Sequence, residues 1–346
     1  MKMRKISVIL LCSILMIASL AACQQDTNPN PQPPGGFAPS INFDFQPMTI
    51  RFFVGGDPGD AFGSIVYRGA MDAAEILSPF GVTVEYVFSG WQPEQMVSQL
   101  REAIAARVDV ISMMGHPGCD AIMPLAEEAR NAGIIMMYQN TNVPAVREQH
   151  GGGFTGVVDL VAQGRMLGEA AIEQLGLQPG DRAVVFAPWG TPGRFIREDA
   201  VAITFEELGM TVERIQNPVG VNADPQLLLP LVTGQVQGHP DTRIIVYSGG
   251  QLLAAAPMYM QAVGRSPGDI FNIGFDLNAA VLEAFEQGYV QLTSDQQPYL
   301  QGFLPIINAF LAFHFEMSGL EIDTGRGLVD ATNFDDLREL VQQGIR

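Results

Sequence analysis

The feature that most constrains the fold of this chain is a regular alternation, from Thr49 onward, of short apolar runs with segments of helical periodicity. Strands that alternate with helices pair in parallel, because each helix carries the chain back across the sheet before the next strand begins. The first series predicts strands at residues 49–54, 82–88, 108–114 and 134–137. The alternation restarts after a glycine run at residues 151–153 and predicts strands at residues 182–187, 211–216, 243–247 and 270–275. Two wound α/β sheets are therefore expected.

Helices are expected between these strands, near residues 65–77, 93–104, 120–131, 160–175, 195–208, 225–236 and 251–263. Polar side chains then follow two strands late in the chain. One apolar strand ends at Asp276, and the next ends at Gln296, shortly before Pro298. Because open α/β sheets bind ligands at the carboxyl ends of their strands, Asp276 and Gln296 are candidates for a ligand site.

The first 23 residues predict export and lipid attachment. Three basic residues among the first five precede an apolar run at residues 6–20, which is too short to span a membrane comfortably. The run ends in Leu-Ala-Ala-Cys23, which resembles the lipobox of bacterial lipoproteins. We expect residues 1–22 to be a signal peptide and the Cys23 thiol to carry a lipid that anchors the protein outside the cytoplasm. The alternative is an ordinary secretory signal with an incidental cysteine.

Residues 23–47 are rich in Pro, Asn, Gln and Gly and predict a flexible tether. A loose chain of this length spans roughly 25 to 30 Å. Removal of the leader leaves Cys23 and Cys119, so a lipidated Cys23 leaves no pair for an internal disulfide.

The charge of the mature chain argues against partners that are polyanions. Residues 23–346 carry 16 basic against 37 acidic side chains, a formal charge of −21. Such a surface repels nucleic acid phosphates and anionic lipid.

The loop at residues 55–63 is rich in glycine, but it does not have the spacing of a dinucleotide site. Asp57 and Asp60 in this loop would oppose a phosphate. A neutral polyhydroxylated ligand fits better, because carboxylates accept hydrogen bonds from hydroxyls and Phe62 can cover the C–H side of a sugar ring.

No metal, cofactor or catalytic group is expected. The four histidines, His116, His150, His239 and His314, have no spacing that would put two on one helical face, so they are interpreted as surface or satisfied side chains. Cys119 follows His116 closely, but nothing around it matches a known nucleophile motif, and no Gly-x-Ser-x-Gly sequence occurs.

Several motifs in residues 49–346 together carry a family resemblance. They are Gly59-Asp60-Ala61-Phe62, Tyr138-Gln139-Asn140, Trp189-Gly190-Thr191-Pro192-Gly193 with Arg197, Gly274-Phe275-Asp276, residues 296–302 and Asp323-Thr324-Gly325. With these motifs the chain resembles a periplasmic sugar-binding protein of the ribose/galactose type, the receptor component of an ABC importer. The resemblance implies no enzymatic activity, and it implies a sugar-like ligand and a membrane permease as partners.

The resemblance also implies an architecture of two doubly wound parallel-sheet α/β lobes joined by a three-stranded hinge, with crossings near Gly153, Gln296 and Asp323. The implied boundaries are residues 48–153 with 297–323 for the first lobe and residues 154–296 with 324–346 for the second.

Carried over residue by residue, the resemblance implies a ligand cleft lined by Asp60, Phe62, Asn140, Arg197, Asp276 and Gln296, with Trp189 as a second aromatic wall. Asn140-Thr141 stands where an Asp-Arg pair is common in ribose binders, and Ser248-Gly249-Gly250 stands where Asn-Asp is usual. The identity of the sugar is therefore open.

Three functions are weighed. The first is a lipid-anchored receptor that closes two lobes around a simple sugar or polyol. The second keeps the fold but binds a nucleoside or a signalling furanose, with Phe62, Trp91 and Trp189 framing the ring. The third is an extracytoplasmic hydrolase, which needs an activated nucleophile or an acid and base pair that the sequence does not supply.

Overall fold

The computed structural model describes residues 44–191 and 194–346. The predicted signal peptide, the lipid attachment at Cys23 and residues 23–43 of the predicted tether lie outside the described residues. Among the helices that are described, none combines the length and the apolar character needed to cross a membrane.

Strands and helices alternate throughout the described chain. Residues 48–156 form β1 (Met48–Gly55), α1 (Ala61–Leu77), β2 (Val82–Phe88), α2 (Pro93–Ala106), β3 (Val110–Met114), α3 (Cys119–Asn131), β4 (Ile135–Asn140), α4 (Pro144–His150) and β5 (Gly153–Gly156). Residues 160–295 form α5 (Leu160–Leu175), β6 (Arg182–Ala187), α6 (Ile196–Leu208), β7 (Thr211–Gln216), α7 (Leu229–Gly238), β8 (Thr242–Tyr247), α8 (Gly250–Ala254), α9 (Ala256–Ala262), β9 (Phe271–Phe275), α10 (Ala279–Glu286) and β10 (Leu292–Asp295). The rest forms α11 (Pro298–Phe315), β11 (Glu321–Asp323), β12 (Gly327–Asp330) and α12 (Arg338–Gln342).

The strands make two six-stranded sheets, and this confirms the predicted fold class. The first sheet has the order β11-β5-β4-β3-β1-β2 and is parallel throughout. The second has the order β12-β10-β9-β8-β6-β7 and is parallel except for β12, which pairs antiparallel with β10. We call the part built on the first sheet lobe 1 and the part built on the second sheet lobe 2.

The central strands are buried along their whole length. All five residues of β3 are buried, as are five of the six in β8. Helices cover both faces of a parallel sheet, so its strands are continuous apolar runs rather than alternating ones. The continuous apolar runs of the central strands are the sequence pattern from which these strands were predicted.

The first sheet contains two strands beyond the four that the sequence predicted. β5 has four residues and β11 has three, too few to show a hydrophobic period. Because β5 pairs with β4, with Gly156 opposite Asn140, the first crossing between the lobes follows Gly156. The first sheet therefore extends three residues beyond the lobe boundary expected at Gly153.

The other two crossings lie close together. The chain leaves β10 of the second sheet at Asp295 and enters α11, which packs on β3, β4 and β5 of lobe 1. It returns between Asp323 at the end of β11 and Gly327 at the start of β12. The residues of these crossings, above all Gln296, Gln297 and Thr324, form the hinge.

Helix α11 lies directly against α1 because both helices have a glycine at their contact. A side chain at Gly302 would overlap the carbonyl of Val66, and one at Gly69 would overlap the carbonyl of Tyr299. This close approach ties the helix that leaves the hinge to the helix that begins beside the candidate cleft at Ala61.

Candidate ligand-binding site

The candidate site lies where the carboxyl ends of the two sheets face each other. Asp276 directly follows β9, and Gln296 directly follows β10, its neighbour in the second sheet. Gln296 Nε2 donates to Asp276 Oδ1 at 2.6 Å. The two strand-end residues that the sequence singles out are therefore hydrogen-bonded to each other.

Arg197 joins this pair from α6. Its Nη1 lies 4.0 Å from Asp276 Oδ1, its Nη2 donates to the Ser248 carbonyl at 2.8 Å, and its Nε donates to Glu198 Oε1 at 3.0 Å. The guanidinium also lies 4.2 Å from the centre of the Phe275 ring. These contacts hold Arg197 against the floor of lobe 2.

Burial acts on the pKa values of both members of the Arg197 and Glu198 pair. Burial alone would lower the pKa of Arg197, but the charges of Glu198 and Asp276 outweigh it and raise the pKa. Burial also raises the pKa of Glu198, and Arg197 offsets this only in part. Arg197 is therefore a permanent cation beside the Asp276 carboxylate.

Lobe 1 contributes Asp60 and Phe62 from the start of α1. Asp60 caps the helix, since its Oδ1 accepts from the backbone N–H of Gly63 at 2.6 Å. Its Oδ2 accepts from Trp91 Nε1 at 3.1 Å. Both oxygens thus have a partner within lobe 1, while the half-buried Phe62 ring lies on the side that faces lobe 2.

Two further residues complete the wall of lobe 1. The Trp91 ring lies 5.9 Å from the Phe62 ring and 5.4 Å from the His116 ring. His116 Nδ1 is buried and has no hydrogen-bond partner among the described residues. Burial first, and the charge of Arg194 in lobe 2 second, lower the pKa of His116 to about 4. The imidazole is therefore neutral at pH 7.

From the sequence, His116 is expected to be a surface or satisfied side chain, and Trp91 is expected near the ligand only in the nucleoside alternative. Both residues follow strands of the first sheet, Trp91 after β2 and His116 after β3. Their position after strand ends was the available signal, and it is the same signal that identified Asp276.

Asn140 ends β4 on the lobe 1 side of the hinge. Its Nδ2 donates to Gln301 Oε1 at 3.0 Å, and its Oδ1 accepts from the Thr141 hydroxyl at 3.2 Å. Gln301, on the first turn of α11, donates in turn to the Gln296 carbonyl at 2.9 Å. The structure thus links Asn140 to Gln296 through a residue that sequence reasoning did not single out.

Trp189 makes its contacts within lobe 2. Its Nε1 donates to the Val185 carbonyl at 3.3 Å, its ring lies 5.4 Å from the Phe195 ring, and the Arg214 guanidinium lies 5.7 Å from its ring centre. These contacts place Trp189 at the margin of the lobe 2 core, on the side of β7.

Strained backbone is concentrated at the same strand ends. Six described residues other than glycine have a positive φ angle, and two of them, Arg107 and Glu316, end helices. The other four belong to the site and hinge: Trp91, Asn140, Asp276 and Gln297, with φ of 61°, 61°, 72° and 54°. Such conformations cost free energy and persist only where the surrounding structure holds them, and they are concentrated at ligand sites and switch regions of proteins.

The two lobes are in contact across the site. Ala61 and Phe62 of lobe 1 and Gly250, Asp276 and Asn278 of lobe 2 line a shared cavity of about 10 Å³. This volume is at the limit for a single water molecule. A sugar is larger than this cavity.

A larger cavity, about 360 Å³, lies at the opposite edge of the first sheet. Ile134, Met136, His150 and Met317 are among its lining residues, and none of the candidate site residues is. The described residues contain no cluster of His, Cys, Asp or Glu that could hold a metal ion.

Comparison with known proteins adds a family and a fold. A family profile described as periplasmic binding protein domain matches residues 52–312. A xylose/arabinose-binding protein of Sulfolobus acidocaldarius is 26% identical over 254 residues, which cover 69% of this chain and 59% of that protein. The chain therefore spans less than two thirds of the length of this relative.

Solved structures share the two-lobed fold. A carbohydrate transporter from Acidothermus cellulolyticus in complex with myo-inositol superposes with a TM-score of 0.70 at 20% identity, over 87% of this chain and 100% of that one. An ABC transporter solute binding protein from Agrobacterium vitis with bound D-fucose superposes with a TM-score of 0.71 at 20% identity, over 85% of this chain and 99% of that one.

Proposed function

This chain belongs to the family of proteins built on the periplasmic binding protein domain, and we propose that it is the extracytoplasmic substrate-binding protein of an ABC importer, with a simple sugar or related polyol as its ligand. The family assignment confirms the predicted resemblance and makes the chain a binding protein rather than an enzyme. The observation that carries the proposal is the cluster of Asp276, Gln296 and Arg197, which faces Phe62 across the line where the lobes meet.

The chemistry of this cluster suits a neutral ligand with several hydroxyl groups. Asp276 supplies carboxylate acceptors, while Arg197 and Gln296 supply N–H donors, so hydroxyls can both donate and accept. The rings of Phe62 and Trp91 offer apolar faces for the C–H side of a sugar ring. The ligands named for the relatives above, pentoses, D-fucose and myo-inositol, have this chemistry.

Binding is proposed to proceed by closure of the lobes at the hinge. The ligand enters while the lobes are apart and is then enclosed by Phe62 from one side and Asp276 from the other. Only the closed form makes both sets of contacts, so the ligand shifts the equilibrium toward closure. The closed form is the one that a membrane permease would receive.

Lipid anchoring at Cys23 is part of the proposal. We expect wild-type protein expressed in its host to fractionate with membranes and to incorporate a labelled fatty acid. A Cys23→Ala variant should lack the label. Cys119→Ala serves as the control. The Cys119 thiol lies in the folded domain, so its removal should affect neither membrane fractionation nor fatty-acid labelling. Label retained by Cys23→Ala would refute the anchor.

The ligand class is tested by a thermal-shift panel of pentoses, hexoses, inositols and nucleosides, followed by calorimetry. A ligand present at 100 times its Kd stabilises the native state by about 2.7 kcal/mol, which raises the melting temperature measurably. A sugar or polyol should give the largest shift. A shift with nucleosides alone would favour the alternative receptor, and no shift with any member would refute the proposed ligand class.

A further inference from the structure

Gln301 lies at the point where two crossings of the hinge meet lobe 1. It is fully buried, with 0% of its surface exposed. A buried carboxamide needs partners for its oxygen and its amide protons. Gln301 finds them in three separate segments: Asn140 at the end of β4, Gln296 after β10 and Thr324 after β11.

The amide of Gln301 determines the orientation of two other amides. Its Oε1 accepts from Asn140 Nδ2 at 3.0 Å, so Asn140 must turn its nitrogen toward the hinge. Its Nε2 lies 2.9 Å from the Gln296 carbonyl and 3.3 Å from Gln296 Oε1. Gln296 therefore turns its side-chain oxygen toward Gln301 and its Nε2 toward Asp276.

The reverse orientation of Gln296 is strongly disfavoured. It would bring Oε1 to the position that Nε2 now occupies, 2.6 Å from Asp276 Oδ1. Two acceptor oxygens at that distance repel each other, and the buried nitrogen would face the N–H of Gln301. A continuous chain of hydrogen bonds thus runs from Asn140 of lobe 1 through Gln301 and Gln296 to Asp276 of lobe 2.

We propose that Gln301 is a positioning residue for ligand binding: it sets the donor and acceptor directions of Asn140 and Gln296 from inside the hinge, without touching the ligand. Because Gln296 occupies Asp276 Oδ1, the other oxygen, Oδ2, is left to accept from a ligand hydroxyl. The inference rests on the proposed function, since it concerns the same site.

A double-mutant cycle tests whether Gln301 acts through Gln296. Gln301→Met keeps the length of the side chain and removes its amide. With the sugar that binds best in the panel, we expect this change to weaken binding about tenfold, the effect of roughly one lost hydrogen bond. In a Gln296→Met background the same change should weaken binding by less than about threefold. Equal effects in both backgrounds, or no effect in the wild type, would overturn the proposal.

Asn308→Met is the matched control for a purely structural effect. Asn308 is also a buried carboxamide on α11, and it bonds to the backbone of Leu320 at 3.3 and 3.4 Å. It has no bond to Gln301, Asn140 or Gln296. We expect this variant to lose stability while its Kd stays within about twofold of wild type. A Kd change as large as that of Gln301→Met would overturn the proposal.

A measurement on ligand-free protein tests the role of Gln301 independently of which ligand binds. Protein labelled with ¹⁵N in glutamine gives side-chain amide signals, and the Gln296→Met spectrum identifies those of Gln296. Their hydrogen exchange should be slow in wild type and in Asn308→Met but fast in Gln301→Met. If no sugar binds the wild type, the proposed function fails while this test still decides the role of Gln301. Unchanged exchange in Gln301→Met would refute that role.

Discussion

At the scale of single residues, the polar groups of the candidate site hold each other in place without a ligand. Asp276 is held by Gln296 and lies within reach of the Arg197 charge, and Arg197 is held in turn by the Ser248 carbonyl and Glu198. Groups whose directions are already determined lose little freedom on binding, so more of each contact remains as affinity.

Asp276→Asn replaces the acceptor Oδ2 by a donor and removes the charge. We expect the Kd for the sugar to rise by tenfold to a hundredfold, since a hydrogen bond to a charged group contributes about 1.5 to 3 kcal/mol. Calorimetry measures this directly. Asp241→Asn is the control, because Asp241 is exposed and its pair with Arg182 lies on the surface of lobe 2. An Asp276→Asn variant that binds as tightly as wild type would refute the site.

His116 makes stability depend on pH. Its pKa in the folded protein is about 4, below the ordinary value of 6.5, so the unfolded chain binds more protons between these values. The folded state therefore has its full stability above pH 6.5 with respect to His116, and it loses part of this stability as the pH falls toward 4. We expect wild type to lose more stability between pH 7.5 and pH 4.5 than His116→Gln, as measured by urea unfolding.

His239→Gln is the control for this experiment, because the His239 side chain is 41% exposed. It should lose stability with falling pH in the same way as wild type. If His116→Gln also follows the wild-type curve, the burial of the neutral imidazole does not contribute to stability.

At the scale of elements, the site depends on how closely two helices approach. α1 begins at the lobe 1 wall and α11 begins at the hinge, and the glycines at their contact let the backbones touch. The helix that carries Phe62 and the helix that carries Gln301 are therefore one packed unit.

Gly302→Ala should push helices α1 and α11 apart. The added methyl group would overlap the Val66 carbonyl, and overpacking of this kind costs about 1 to 3 kcal/mol of unfolding free energy. Gly234→Ala in α7 is the control, because no atom lies within 4 Å of the added carbon. There the same change should stabilise the protein by about 0.5 to 1 kcal/mol. Denaturant unfolding measures the change in unfolding free energy of both variants. Changes of the same sign would contradict the prediction.

At the scale of the whole molecule, the cavity of about 10 Å³ between the lobes connects the proposed function to a motion of the lobes. No sugar fits in it, so the proposed function requires that a lobe arrangement that admits ligand is populated in solution. The crossings at residues 157–159, 296–297 and 324–326 are the short segments in which the change of backbone angles can occur.

Closure predicts that ligand makes the protein more compact. Small-angle scattering should give a smaller radius of gyration with saturating sugar than without it. Asp276→Asn at the same sugar concentration should show a smaller decrease, because less of it is bound. A radius that does not change for wild type when calorimetry shows binding would contradict hinge closure.

The sequence by itself determined the two wound sheets and the meeting of Asp276 with Gln296. Continuous apolar strands of five residues or more encode a covered parallel sheet, and neighbouring parallel strands end at one edge. Three of the four strands with three or four residues, β5, β11 and β12, show no hydrophobic period and were not predicted. The fourth, β10, was predicted as the strand that ends at Gln296.

Only the tertiary structure decided which side chains surround the candidate site. His116 becomes part of it because Trp91 packs against its ring and Arg194 lies near it from the other lobe. Gln301 bonds to Asn140, which is 161 positions away in the chain. No local pattern encodes such pairs, because hydrogen-bond partners at a hinge follow from how two separately folded lobes are brought together.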